Sequence, residues 1–150
     1  MKKIIYFLIF ICFAFGSNAQ DLTQKYNFML DRVEFYNAYG SMVGYAKVNR
    51  LTNQLECYDS YGNLVKTEKQ NKILNRNEVY DSNGAQQGYS QDNNLLNQHE
   101  TYNQYGERTY TKKWNDLLKR YEVYDANSCK VGYYQFNRLL NRWDFFHSSY

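Results

Sequence analysis

An acidic residue returns every 22 residues along this chain: Glu34, Glu56, Glu78, Glu100 and Glu122, with Asp144 on the next beat. Two places after each stands an aromatic ring (Tyr36, Tyr58, Tyr80, Tyr102, Tyr124, then Phe146). One place further is a turn-former (Asn37, Asp59, Asp81, Asn103, Asp125, then His147). A fixed period of this length marks a repeat architecture, in which one unit cannot bury its own apolar face and neighbours stack to build the core. Full units run 34–55, 56–77, 78–99, 100–121 and 122–143; residues 25–33 match the second half of a unit, and 143–150 make a closing strand. No linker or charge block breaks the series, so 20–150 reads as one repeat domain.

Each unit carries two turn signals. The first is spelled Tyr-Asp-x-x-Gly, with Gly40, Gly62, Gly84 and Gly106 in register and Ser128 replacing Gly in the fifth unit. There the Asp or Asn side chain bonds its own backbone and Gly supplies the positive φ that closes a hairpin. The second falls at Asn49, Asn71, Asn93, Asn115 and Asn137, a residue type that tolerates the left-handed conformation. It is followed by a largely aliphatic pair: Leu51-Thr52, Ile73-Leu74, Leu95-Leu96, Leu117-Leu118 and Leu139-Leu140. Two turns per unit leave two strands of about six or seven residues, and neither stretch spaces apolar residues as a helix would. The expected fold is all-β: a single-layer, twisted antiparallel meander of β-hairpin repeats with about eleven strands. Gly44, Gly88 and Gly132 leave gaps that an aromatic on the next strand can cover. In the second and fourth units Lys66 and Tyr110 replace that Gly while Thr67 and Thr111 replace the following Tyr, a two-unit alternation.

These residues resemble known repeat families. Tyr-Asp-x-x-Gly at this period resembles the YD (RHS-type) repeat, and Tyr- and Gly-bearing hairpins in a meander are similar to MORN and MORN-like repeats. The resemblance covers 25–150, although the several Gly per unit of the fuller MORN pattern are not met. It implies a binding, scaffold or toxin-encasing module and carries over no catalytic residue. A curli-like β-solenoid is the alternative, with one repeat per rung. It would stack the five Glu about 4.8 Å apart, at a cost of about 1 kcal/mol per neighbouring pair even in water. In a meander they stand about 9.6 Å apart, near the screening length, and Arg32, Arg76, Arg120 and Arg142 can pair with alternate acids.

The first nineteen residues read as a signal peptide: Met1-Lys2-Lys3, an apolar run from Ile4 to Phe15, and Ser17-Asn18-Ala19 before the cut. The run is short of the roughly 18–20 apolar residues a spanning helix needs, so no membrane span is expected after cleavage. The Ala-Gln junction resembles exported proteins of Bacteroidota-type bacteria, which implies a periplasmic, cell-surface or secreted location. Without Lys2 and Lys3 the mature chain holds 16 basic and 15 acidic residues, which gives no footprint for nucleic acid or an anionic membrane. On a flat meander Cys57 and Cys129 lie too far apart to bridge, and both are expected free.

Nothing in the pattern spells an enzyme. The Glu column is too widely spaced to chelate one ion, and it reads as a solvated, Arg-paired face. His99 and His147 have no partner nucleophile in the pattern, and no Cys/His spacing suggests zinc; no cofactor is implied. The binding candidates are the aromatic rows, Tyr36, Tyr58, Tyr80, Tyr102 and Tyr124 and, beside them, Tyr45, Tyr89 and Tyr133, together with Trp114 and Trp143. Rows of Tyr on a stiff sheet suit a protein partner or the faces of sugar rings, because Tyr loses little entropy on binding. They also suit the sheet's own packing. The expected function is a non-catalytic protein-interaction or scaffold module of the cell envelope, engaging an envelope protein or its own copies. The alternatives are a polysaccharide-binding module and a curli-like self-assembling subunit.

Overall fold

A computed structural model of the chain describes residues 22–148. The expected signal segment and the last two residues of the expected closing strand lie outside that range. Among the described residues there are twelve strands: β1 (Thr23–Asn27), β2 (Arg32–Tyr36), β3 (Met42–Asn49), β4 (Gln54–Asp59), β5 (Leu64–Asn71), β6 (Arg76–Asp81), β7 (Gln86–Asn93), β8 (Gln98–Asn103), β9 (Arg108–Asn115), β10 (Arg120–Asp125), β11 (Lys130–Asn137) and β12 (Arg142–His147). Each pairs antiparallel with the next, as a hairpin meander requires.

The sheet is not an open layer, and it is not a solenoid. β1 pairs with β12 through Gln24↔Trp143 and Lys25↔Arg142, so the meander closes into a barrel. Two features account for the closure. The half unit before Glu34 supplies a twelfth strand, which gives the antiparallel ring the even number it needs. Each unit also has a β-bulge at one place, between Phe35/Tyr36, Cys57/Tyr58, Val79/Tyr80, Thr101/Tyr102 and Val123/Tyr124. A bulge adds a residue to one strand and sharpens the local twist, and five in register curl the sheet onto itself.

Strand alternation then fixes two faces. The interior takes Val33, Phe35, Ala46, Leu55, Cys57, Val79, Ser90, Thr101 and Val123, with Val33, Phe35, Cys57, Val79 and Val123 each at 1 % exposure. Register carries that face around the ring, from Val33↔Ala46 to Lys112↔Val123 and Tyr134↔Phe145. The Gly132 gap does hold an aromatic, because the ring of Phe145 lies where a side chain at 132 would stand.

Both turn types form, with one correction. In the first, Asn37 Oδ1 accepts the backbone N–H of Tyr39 and Ser41, and Asp59, Asp81, Asn103 and Asp125 repeat the arrangement. Gly40, Gly62, Gly84 and Gly106 take positive φ, and Ser128 takes φ 64° in their place. In the second turn the recurring Asn is not left-handed. The positive φ sits four residues later, at Asp31, Asn53, Asn75, Asn97, Lys119 and Asn141. Asn49 instead holds the turn from its side chain, accepting the N–H of Leu51 and Thr52.

The cysteine expectation also needs correction. Cys129 is free and exposed, but Cys57 is disulfide-bonded.

Candidate functional site

The outer face is a girdle built from the repeat itself. In each unit the Glu carboxylate accepts a hydrogen bond from the Tyr hydroxyl two residues on: Tyr36 to Glu34 and Tyr58 to Glu56 at 2.6 Å, Tyr80 to Glu78 and Tyr102 to Glu100 at 2.7 Å, Tyr124 to Glu122 at 2.9 Å. The Asn seven residues earlier donates to the same carboxylate, as from Asn49 to Glu56 at 2.7 Å and Asn71 to Glu78 at 3.0 Å. In alternate units an Arg joins, as Arg32 to Glu34 and Arg76 to Glu78, both 2.8 Å. The column expected to be solvated is therefore covered: Glu34, Glu78 and Glu100 are buried beneath this layer of side chains.

The electrostatics follow from those partners. Burial pushes the Glu78 carboxyl up, but hydrogen bonds from Tyr80, Arg76 and Asn71 outweigh it and hold the group below the usual carboxylate range. Glu34, Glu56 and Glu100 behave alike. Lys130 adds a hydrogen bond to Glu122 and takes it down to about 2 against the pull of burial, helped by Arg120 and Tyr124. The paired Tyr hydroxyls are correspondingly hard to ionise; burial and the bond to Glu56 push Tyr58 up to about 12.

The two-unit alternation has a physical cause here. Tyr45, Tyr89 and Tyr133 lie under the guanidinium groups of Arg32, Arg76 and Arg120, at 4.2, 4.3 and 3.9 Å from the ring centres. They stack on Tyr58, Tyr102 and Phe146 at 5.0, 4.7 and 5.2 Å. Where Thr67 or Thr111 replaces the Tyr, Gln54 or Gln98 replaces the Arg. Cation and ring change together because each is the other's packing partner. Thus the eight Tyr of the expected binding rows all lie on the outer face, half-buried. Five have their hydroxyls committed to Glu, and three have a ring face committed to Arg.

Trp114 and Trp143 sit elsewhere, on the inner face at one mouth of the barrel. Trp114 packs on Tyr121 at 4.8 Å, Tyr121 on Trp143 at 5.5 Å, and Trp143 on Phe136 at 5.3 Å. A cavity of about 260 Å³ opens beside them, lined by Asp92, Asn94, Gln98, His99, Lys112 and Trp114 among others. His99 Nδ1 lies 2.8 Å from Asp92, and burial followed by the charge of Lys112 depresses its pKa.

Deeper in, burial pushes Glu68 up to about 8 and Lys112 down to about 8, each feeling the other's charge. Between its ordinary value and about 8, Glu68 is protonated in the fold and ionised in the unfolded chain, so its contribution to stability falls as pH rises. Glu68→Gln is therefore expected to gain stability relative to the parent as pH rises from 4.5 to 8, by up to about 4–5 kcal/mol, in denaturant titrations at several pH values.

The rims carry a pattern that the strand period alone does not display. The six tips that follow β1, β3, β5, β7, β9 and β11 all lie at one end of the barrel, since neighbouring strands alternate in direction. Met29, Leu51, Ile73, Leu95, Leu117 and Leu139 stand at these tips, from 90 % exposed (Leu117) to 98 % (Leu51). Leu30, Leu74, Leu96, Leu118 and Leu140 follow them, about half exposed. The opposite rim carries Tyr39, Tyr61 and Tyr105, exposed at 93, 89 and 78 %. The signal was present as an apolar pair between two turn-forming residues, Asn-x-Leu-Leu-Asn, where a turn tip alone would favour polar side chains. No group of three metal-ligating side chains occurs among the described residues.

No protein-family model matches the chain, and no curated protein matches it. A solved structure does: an X-ray structure of a protein from Arabidopsis thaliana aligns with a TM-score of 0.62 at 12 % identity, over 85 % of this chain and 80 % of that one. At that identity the likeness is one of fold.

Proposed function

We propose that the chain is an exported, non-catalytic interaction module that serves as a scaffold in the cell envelope. The observation that carries this reading is the crown of aliphatic tips. The barrel does not need those side chains for its own packing, since they are almost wholly exposed. Turn geometry does not need them either, because Asn side chains and positive-φ residues close the tips. Exposed aliphatic groups repeated around one rim are the usual mark of an interaction surface. The girdle beneath keeps that rim rigid, so little entropy is lost when it docks.

The test is expression of the whole sequence in a Gram-negative host, followed by fractionation and crosslinking. The expected result is a chain beginning at Gln20 in the exported fraction, with a discrete crosslinked species lost on Leu51→Ser with Leu95→Ser and Leu139→Ser. An uncut chain retained in the cytoplasm, or crosslinks indifferent to the crown, would refute the reading.

A second reading rests on the mouth. Trp114 and Tyr121 offer ring faces beside Asn94, Gln98 and Asp92, the combination that holds a sugar by stacking and by bonds to its hydroxyls. Polysaccharide retention on affinity gels, abolished by Trp114→Ala with the melting temperature kept, is the outcome this reading expects. Retention unchanged by Trp114→Ala would place any sugar elsewhere.

A further inference from the structure

The two rims differ in charge as well as in side-chain type. The tips of the aliphatic rim (27–31, 49–53, 71–75, 93–97, 115–119 and 137–141) carry Arg50, Lys72, Lys119 and Arg138 against Asp31 and Asp116, a net +2. Arg50 pairs with Asp31 across neighbouring tips at 2.7 Å and Lys119 with Asp116 at 2.8 Å, and Lys72 and Arg138 supply the excess. The tips of the tyrosine rim (37–41, 59–63, 81–85, 103–107 and 125–129) carry Asp59, Asp81, Glu107 and Asp125 and no basic residue, a net −4. The molecule is thus polar along the barrel axis, positive and aliphatic at one end, negative and aromatic at the other.

The two ends also match in spacing. Each rim has one tip for every two strands, so tips recur at the same interval on both. Among the described residues the aliphatic rim has six, while the tyrosine rim has five, with the start of β1 and the end of β12 in the sixth place.

We propose that copies of this protein associate head to tail, the aliphatic rim of one seated on the tyrosine rim of the next. The inference rests on the reading of the crown as an interaction surface and names its partner as a second copy. Three arrangements can be compared. Aliphatic rim on aliphatic rim sets net positive against net positive, and tyrosine rim on tyrosine rim sets four acids against four. Only head to tail joins opposite charges, and only it covers both exposed sets, Leu51, Ile73 and Leu95 on one side and Tyr39, Tyr61 and Tyr105 on the other. An anionic bilayer suits the crown but leaves the tyrosine rim bare. Because the contact is heterologous, every added copy presents a fresh rim, and the product is an open column rather than a closed dimer.

Sedimentation velocity over rising concentration of the purified protein, expressed from its whole sequence, is the first measurement. The weight-average mass is expected to pass about twofold with no plateau at two copies. The triple variant Leu51→Ser, Leu95→Ser, Leu139→Ser should stay monomeric with its melting temperature unchanged. Cys129, free and exposed on the tyrosine rim, supplies the second test. Leu95→Cys should give a ladder of disulfide-linked species under oxidising conditions, and adding Cys129→Ser should remove it. A monomer at all concentrations overturns the proposal. So does a dimer that stops at two, or crosslinking of Leu95→Cys that survives Cys129→Ser, which marks a tip-to-tip contact. Crown-dependent co-sedimentation of monomers with phosphatidylglycerol vesicles, without a ladder, assigns the rim to lipid and also overturns it. These outcomes are separate from the cellular test above: export and an envelope crosslink can stand where the column fails, and the column can form where export fails.

Discussion

Gly132→Ala should strongly destabilise this barrel. A Cβ at this position would stand 2.5 Å from Cζ of Phe145 and well inside contact with the carbonyl oxygen of Phe146. The oxygen belongs to the β12 backbone, which pairs with β11 at Gly132↔His147 and Tyr133↔Phe146, so it cannot swing away as a side chain would. Relief requires β11 and β12 to separate or Phe145 to leave its place against Tyr134, 4.7 Å from it. We expect a loss of about 3–5 kcal/mol, at the upper end for overpacking, and a melting temperature lower by about 10–15 °C. Gly84→Ala is the control. It has nothing within 4 Å and suffers only from its φ of +83°, which costs about 1 kcal/mol. Ser128 at φ 64° already occupies the matching place in the fifth unit. Equal losses from the two substitutions would show that the Phe145 packing does not constrain β11.

Glu78→Ala is expected to cost about 2–4 kcal/mol, because one carboxylate serves several donors that the substitution leaves covered and unpaired. Tyr80 Oη, the Arg76 guanidinium and Asn71 Nδ2 all point at it. Arg76 is also held over the Tyr89 ring, so it is not free to turn to water without giving up that contact. The same girdle predicts the response to acid. Each of the five Glu has its folded-state pKa depressed, so each contributes stability that is present above the unfolded value near 4.5 and is lost as pH falls through the lower, folded value. For Glu122 that loss runs from about 4.5 down to about 2. Stability should therefore fall steeply once pH drops below the ordinary carboxylate range. In Glu78→Ala the fall should be shallower, since one of the linked groups is gone. An acid limb of unchanged steepness would mean that Glu78 is not part of it.

Much of the fold was legible because the period is strict. Two turn signals per unit placed the hairpins and, through Asn37, Asp59 and their copies, gave the chemistry of one turn correctly. Closure was not legible. It depends on an extra residue per unit at the bulge, which leaves no mark in a period of constant length, and on Gln24 and Lys25 meeting Trp143 and Arg142 from the far end of the chain. The recurring Asn was assigned to the wrong task for a related reason. Its side chain both caps its turn and reaches the Glu seven residues on, a contact set by strand pairing that sequence spacing does not display. The Tyr rows share one face with the Glu. That each hydroxyl is committed to its own carboxylate follows from the two-residue offset only once the strand geometry is known. The crown was the larger omission. An aliphatic pair after a turn reads as the start of a buried strand until the strands are seen to begin later, at Arg76, Gln98 and Arg120.

The pairing of β1 with β12 makes the place where the chain starts an accident of connectivity. The start of β1 and the end of β12 both lie at the tyrosine rim, in the position any of its turns could hold. A permuted gene that joined them and opened at Gly84 would draw the same ring with its break between β6 and β7. What would change is the order of assembly. In the natural order every pairing but one joins consecutive strands, and the last must bring together residues more than a hundred positions apart. That closing step carries the largest loop entropy in the molecule, and moving the break would hand it to a different pair of strands.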